Sequence, residues 1–211
     1  MRDGMTEEDT ILVDHTDRYD EAALSRMYGS LSSFGKNKVD TAGGETHRRQ
    51  RILAYYLKER NARERRYSIS HSGRLVGVAA SPCPVGIDLE EISRTDEERV
   101  QRVGRSHFFV PAERERLRRA SVEEFLLVWT FKEAMTKLTQ IPLARMLGEI
   151  DYYAAAAPRE GQGDPVSFAR LGDREIGDAV VRGFDWNERH FRFLQWLCQD
   201  EAGSVIWERS E

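Results

Sequence analysis

The order of the strand and helix patterns is the feature that most limits how this chain can fold. Short strand patterns and helical patterns are intermixed along the 211 residues without regular strand-helix-strand alternation. This favours an α+β fold over a doubly wound parallel sheet. Short or alternating apolar runs predict strands at residues 10–15, 67–69, 75–80, 85–90, 166–169 and 190–198. The spacing of apolar residues predicts helices at 47–66, from 96 onward, at 112–119 and at 121–139.

Local signals indicate where several of these elements begin. Pro111 suits the first position of a helix. Ser121 and Glu124 form a Ser-x-x-Glu pattern, whose side chains bond to free backbone N–H groups at a helix start. The Ser-His-Ser-Gly run at 70–73 predicts a turn between two strands, and the segments 36–44 and 154–165 are expected to lack regular structure.

Composition excludes several classes of protein. With 40% hydrophobic residues the chain is not disordered along its whole length. The longest strongly apolar run, 125–129, is far shorter than the ~20 residues of a membrane-spanning helix. We expect no secretory signal in the acidic amino terminus and no disulfide framework from Cys83 and Cys198. These expectations describe a cytoplasmic protein without a membrane partner.

Charge is distributed unevenly along the chain. The net charge of -4 argues against a general nucleic-acid binder. Residues 47–74 carry a local charge of +7, whereas residues 85–98 carry -5. A basic segment next to an acidic one suits an anionic ligand held partly through a cation, but solvated faces of opposite sign explain the pattern equally well.

Two carboxylates alternate along the strand predicted at 85–90. Because successive side chains of a strand point to opposite faces, Asp88 and Glu90 share one face while Ile87 and Leu89 share the other. Paired carboxylates repel each other unless a cation lies between them, and their oxygens suit Mg²⁺. The alternative for a lone Asp-x-Glu is a solvated acidic face on an edge strand.

A second group of polar residues lies on the helix predicted at 121–139. Trp129, Glu133 and Lys137 are spaced one turn apart and share one face. A helix that faces only solvent rarely carries Trp on such a stripe, which makes the acid and the base site candidates. An ordinary ion pair beside a core Trp, worth about 0.3 to 0.5 kcal/mol, is the alternative.

The third motif is the Tyr-Ser-Ile-Ser-His-Ser-Gly run at 67–73. Its hydroxyls, imidazole and glycine are useful around a phosphate group. A Ser-His nucleophile is another possibility, but the Gly-x-Ser-x-Gly elbow that would support it is missing. A turn without further function is the third interpretation.

Together and in this order, the three motifs resemble the Sfp-type 4'-phosphopantetheinyl transferases. These enzymes move the phosphopantetheine arm of coenzyme A onto a serine of an acyl or peptidyl carrier protein. The Phe108-Phe109 pair before the helix is similar to the family as well. The likeness extends from about residue 67 to residue 137.

The resemblance implies roles for the acidic and basic residues. Asp88, Glu90 and Glu133 match the family's magnesium ligands. Lys137 matches the lysine that contacts the coenzyme A phosphates, and Lys132 is the motif's other lysine. Glu133 and Lys137 are therefore the expected catalytic residues, with Glu133 as the base.

The resemblance also implies residues for the nucleotide end of coenzyme A. Ser70 and His71 match residues there, with His71 near the 3'-phosphate. Arg48, in the Thr-His-Arg segment that begins a helix, matches an arginine at the same phosphate. The family's Gly-Lys-Pro segment, which helps to bind adenosine, has no counterpart before residue 67.

The resemblance implies a phosphopantetheinyl transferase-like fold with two similar α/β halves in one chain, a pseudo-dimer. The halves are expected at residues 1–85 and 86–211, with the site between them and no need for a second chain. The expected activity is that of a monomeric, Mg²⁺-dependent transferase that modifies an apo acyl or peptidyl carrier protein and releases adenosine 3',5'-bisphosphate. Apolar residues at 141–153 are either a carrier-docking patch or part of the core.

Two other functions remain open. A protein of the same fold could bind coenzyme A or a nucleotide without transferring the arm. An unrelated metal-dependent phosphohydrolase could use the same carboxylates and would need no protein acceptor.

Overall fold

Seven strands form two sheets in the part of the chain that the structure describes. This computed structural model describes residues 10–61, 66–81, 85–91, 96–149, 151–153, 180–186, 191–198 and 205–207. The strands are β1 (Thr10–His15), β2 (Arg66–Ser72), β3 (Leu75–Ser81), β4 (Val85–Glu91), β5 (Val180–Trp186), β6 (Phe191–Cys198) and β7 (Val205–Trp207).

The two sheets differ in how their strands pair. The first sheet has the order β2-β3-β1-β7, and all its neighbours are antiparallel. The second has the order β4-β6-β5, in which β4 and β6 are parallel and β5 and β6 are antiparallel. Because β7 pairs with β1, residues near the carboxyl terminus extend the sheet that the amino-terminal strands form.

Helices accompany both sheets. They are α1 (Glu21–Ser30), α2 (Ser33–Asp40), α3 (Glu45–Asn61), α4 (Glu97–Gly104), α5 (Pro111–Leu117), α6 (Val122–Thr139) and α7 (Leu143–Glu149), with a short 3₁₀ turn at Thr16–Arg18. Helix α3 packs on β3, and α6 packs on β4 and β6. The structure is therefore a mixed α and β protein.

Two larger apolar clusters stabilise the two parts of the molecule. One joins α1, α2 and α3 to Val76 of β3 and is centred on Leu24, Ile52 and Leu53. The other surrounds α6 and includes Phe125 and Met135. A small third cluster, Ala79 of β3 with Val85 and Ile87 of β4, connects the two sheets.

The expected helix boundaries are largely confirmed. The Ser121 hydroxyl accepts a hydrogen bond from the backbone N–H of Glu124, which is the N-cap that the Ser-x-x-Glu pattern predicts. Pro111 lies in the first turn of α5. Helix α6 ends at Thr139, and Gln140 adopts a left-handed conformation with φ of 60°.

Two local expectations are wrong. Residues 36–44 include most of α2, which begins after the N-cap Ser32 and buries Val39 against the first cluster. The run at 70–73 is not a turn: Ser70, His71 and Ser72 continue β2, and the chain turns only after them, at Gly73, whose φ is 55°. Both errors arise because partners that are distant in sequence override the local polar composition.

Other bounds differ by a few residues. The helix expected at 47–66 is Glu45–Asn61, and Arg66 already opens β2. The strand at 190–198 corresponds to β6. The segment 154–165 and the strand expected at 166–169 lie outside the described residues.

The apolar residues at 141–153 belong mainly to the core. Met146 and Leu147 are buried in the cluster around α6, and Ile141 and Leu143 pack against it. Core packing, rather than a docking patch, therefore explains these four residues. No helix in the described part of the chain is long and apolar enough to cross a membrane.

Candidate active site

Strand β4 contacts both strand β2 and helix α6. Its Gly86 permits the close approach of α6: a Cβ at this position would collide with the carbonyl oxygen of Ala134 and lie 2.9 Å from the nitrogen of Leu138. Ile87 and Leu89 point the other way and fill the space above Gly77 of β3. The apolar pair thus anchors the strand from one face, as its alternation predicts.

Serine side chains, not backbone pairing, connect β2 to β4 along the described strands. Alternate hydroxyls on β2 accept hydrogen bonds from alternate backbone N–H groups on β4. The bonds run to Ser68 from Ile87 (3.0 Å), to Ser70 from Leu89 (3.2 Å) and to Ser72 from Glu91 (3.1 Å). We call these three residues the serine ladder.

Asp88 is the most enclosed of the candidate metal ligands, with 5% of its surface exposed. Its Oδ1 accepts hydrogen bonds from the Ser70 hydroxyl (2.7 Å) and from Nζ of Lys137 (2.7 Å). Within the described structure its Oδ2 is buried without a hydrogen-bond partner. Burial raises the pKa of Asp88 above its usual value, against the opposing effects of Lys137 and Ser70.

The other two carboxylates, Glu90 and Glu133, also have raised pKa values. Burial raises the pKa of Glu90, and the charge of Asp88 adds to this effect, while the Ser72 hydroxyl opposes it by donating to Oε2 at 2.6 Å. Burial also raises the pKa of Glu133, followed by the charges of Asp88 and Glu90. Lys137 lowers the pKa of all three carboxylates, and Arg99 also lowers that of Glu90.

This donor set fits a hard divalent cation. Asp88, Glu90 and Glu133 offer carboxylate oxygens, and Oδ2 of Asp88 is a buried acceptor whose missing partner a cation could supply. In the described residues no three His, Cys, Asp or Glu side chains already lie close enough together to hold a metal ion. Side-chain movement is therefore part of any metal binding here.

Lys137 pairs with the most buried of the three carboxylates. Its Nζ contacts the carbonyl oxygen of Ile87 at 3.0 Å as well as Asp88. The ion pair that it makes in the described structure is with Asp88, rather than with Glu133 on its own helix. Trp129, one turn before Glu133, stacks on Phe125 and packs against the core.

His71 lies next to the amino-terminal end of α3. Its ring centroid is 5.8 Å from that of His47. Partial burial of the ring lowers the pKa of His71, and the neighbouring His47 and Lys137 lower it further, although the residue as a whole is exposed. Lys137 thus lowers the pKa of both Asp88 and His71. We call His71 together with His47 and Arg51 of α3 the basic end.

Arg48 lies on a different face of α3. Its guanidinium is 5.0 Å from the centroid of the Tyr28 ring, which fits a cation-π contact. Arg51, one turn after His47, also lowers the pKa of His71, and its side chain donates to the carbonyl oxygen of Lys38. Of the basic residues at the start of α3, His47 contacts His71 directly.

Lys132 has a structural environment. Its ammonium group is fully buried, lies 2.6 Å from Oε2 of Glu113, and donates to the carbonyl oxygen of Leu147 at 2.9 Å. Glu113 also accepts a hydrogen bond from the backbone N–H of Tyr152. This ion pair connects α5, α6 and α7, so the motif's two lysines face different surroundings.

Sequence reasoning singled out the three carboxylates and Lys137, but it named Ser68, Ser72 and His47 only as members of motifs and gave them no individual role. The period of two in Ser68-x-Ser70-x-Ser72 was the available signal, because it matches the period of the carboxylates on β4. A surface cavity of about 350 Å³, lined by Ser30, Leu31, Tyr56, Glu59 and Arg60, shares no residue with this site.

Residues 84–162, just over a third of the chain, match the family model of the 4'-phosphopantetheinyl transferase superfamily. The matched segment includes β4 and α6, and with them Asp88, Glu90, Glu133 and Lys137. The match supports this superfamily, and with it phosphopantetheine transfer in general as the class of activity. No curated protein matches the chain.

Proposed function

We propose that this protein is an Sfp-type phosphopantetheinyl transferase, which moves the 4'-phosphopantetheine arm of coenzyme A to a serine of an apo acyl or peptidyl carrier protein. The observation that carries the proposal is the group of three carboxylates with raised pKa values on β4 and α6. They lie within the segment that matches the superfamily.

Asp88, Glu90 and Glu133 are the proposed ligands of Mg²⁺. When bound there, the ion would neutralise negative charge that develops on the pyrophosphate of coenzyme A. Lys137, which lies on Asp88 in the structure, would then be released to contact the same phosphates. Its long, flexible side chain makes such an exchange of partners easy.

The proposed reaction is an in-line displacement at phosphorus. The hydroxyl oxygen of the carrier serine forms a bond to the β-phosphorus of coenzyme A. The bond from that phosphorus to the bridging oxygen breaks, and adenosine 3',5'-bisphosphate leaves with the electron pair. Glu133 accepts the serine proton, directly or through a water molecule.

The basic end beside α3 is the proposed site of the nucleotide. His71, Ser70 and Arg48 are the residues that the family resemblance implies for it, and His47 lies next to His71. The cations Lys137 and Arg51, which act on His71, favour a phosphate there. The Ser70 hydroxyl is buried in the structure, where it donates to Asp88 and accepts from the backbone N–H of Leu89.

We also propose a pseudo-dimeric arrangement with halves at 1–85 and 86–211. Two sheets and two separate clusters around α3 and α6 support it, although the boundary falls at the start of β4 and the carboxyl-terminal strand β7 joins the sheet of the first half. In such an arrangement one chain forms the whole site, so a monomer is the proposed active form, and we propose the cytoplasm as its location.

A second function has one observation in its favour. Lys137 neutralises Asp88, and in the described residues the carboxylates are not gathered into a metal site. A coenzyme A-binding protein without transfer activity would keep this ion pair. It would bind coenzyme A equally well with Mg²⁺ and with EDTA.

Transfer by site variants tests the proposed function. Asp88→Asn and Glu133→Gln remove one charge each with little change in shape, and each should lower the transfer rate by orders of magnitude. Glu123→Gln is the matched control, because Glu123 is an exposed acid in the first turn of the same helix. Near-normal transfer by Asp88→Asn or Glu133→Gln would contradict the proposed roles.

A further inference from the structure

The serine ladder repeats one geometry along β2 and β4. Ser70 accepts from the N–H of Leu89 and lies 2.7 Å from the carboxylate of Asp88, the residue before it. Ser72 accepts from the N–H of Glu91 and lies 2.6 Å from the carboxylate of Glu90. Each hydroxyl thus contacts one backbone N–H and the side chain of the preceding residue.

The chemistry of these contacts fixes the direction of each bond. A backbone N–H can only donate, and an ionised carboxylate can only accept. The hydroxyl of Ser72 therefore donates its single proton to Oε2 of Glu90 and accepts a hydrogen bond from the N–H of Glu91. With both functions engaged, the hydroxyl restrains the Glu90 side chain relative to β4, so the movement that metal binding requires falls to the other ligands.

Ser68 provides an internal comparison. It accepts from the N–H of Ile87 at 3.0 Å, as its two neighbours do on their partners. The preceding residue on β4 is Gly86, which has no side chain to receive a proton. Ser68 therefore shows the part of the contact that joins the strands, without the part that holds a carboxylate.

We infer that Ser72 is a positioning residue for Glu90: its hydroxyl orients this carboxylate for a divalent cation, in addition to joining β2 to β4. The inference rests on the proposed function, because it takes Glu90 as a metal ligand. Groups that orient metal ligands typically change metal affinity by about 10-fold to 100-fold when removed. Ser72 acts through Glu90 and does not itself touch the ion.

The test is Mn²⁺ binding to the protein without coenzyme A, measured by electron paramagnetic resonance of the free ion. Ser72→Ala should weaken Mn²⁺ binding at least about tenfold. Ser68→Ala, which breaks only the strand contact, should leave Mn²⁺ binding unchanged, and Ser72→Thr, which keeps a hydroxyl, should restore it. If the alanine variant fails to fold, Ser72→Val against Ser72→Thr makes the same comparison with side chains of equal shape.

The outcomes separate the two proposals. Wild-type affinity in Ser72→Ala, together with lost affinity in Asp88→Asn, would overturn the role of Ser72 and leave the proposed function standing. Equal weakening by Ser68→Ala and Ser72→Ala would also overturn it, because joining the strands would then explain the whole effect. Absence of Mn²⁺ binding in the wild-type protein would overturn both.

Discussion

Gly86→Ala should separate helix α6 from strand β4. The new Cβ would collide with the carbonyl oxygen of Ala134 and lie 2.9 Å from the nitrogen of Leu138, and both atoms belong to the backbone of α6. A flexible side chain could move aside, but a helix must move as a unit. Overpacking typically destabilises a protein by 1 to 3 kcal/mol, and we expect about 3 kcal/mol here because backbone is the obstacle.

Urea unfolding of the wild-type protein and the variant measures this loss. Gly29→Ala is the matched control: Gly29 lies in α1, a Cβ there meets nothing within 4 Å, and alanine favours helix by about 1 kcal/mol over glycine. Because α6 carries Glu133 and Lys137, its displacement in Gly86→Ala should also lower the transfer rate. An unfolding free energy within 0.5 kcal/mol of wild type, roughly the range of ordinary surface substitutions, would refute the close approach.

Three further predictions concern the buried charges. Lys132→Met should destabilise the fold by about 3 to 5 kcal/mol in urea, because it leaves Glu113 buried without its cation, and Lys132→Met with Glu113→Leu should recover most of the loss. The raised pKa of Glu133 means that the folded state binds its proton more tightly than the unfolded chain does, so stability falls as pH rises through the interval between the two pKa values. Glu133→Gln should therefore melt higher than wild type at pH 7 and show no such advantage below about pH 4; a lower melting temperature at pH 7 would contradict this. Mg²⁺ should raise the melting temperature of wild type but not of Asp88→Asn, and equal shifts would place the ion elsewhere.

Local signals predicted much of the fold. The alternation in β4 and the cap at Ser121 depend on neighbouring residues, so a single sequence contains the information needed. Helices α1, α2 and α7, strands β5 and β7, and the continuation of β2 through Ser72 were missed. Val39 and the serine hydroxyls find their partners in elements that are far away in sequence.

The candidate site was predicted unevenly for the same reason. The shared face of Asp88 and Glu90 follows from the strand period alone. The ion pair of Lys137 with Asp88 spans 49 residues, and that of Lys132 with Glu113 spans 19, so helical spacing does not reveal either partner. Only the tertiary structure shows that the two lysines of one motif, Lys132 and Lys137, have different surroundings.

The transfer reaction itself is the most direct test of the proposed function. An apo carrier protein is incubated with this protein, coenzyme A and Mg²⁺, and its intact mass is measured against a control that contains EDTA. We predict a gain of one phosphopantetheine that EDTA abolishes. No gain on several carriers, with coenzyme A binding that EDTA does not change, would contradict transfer and favour the binding protein.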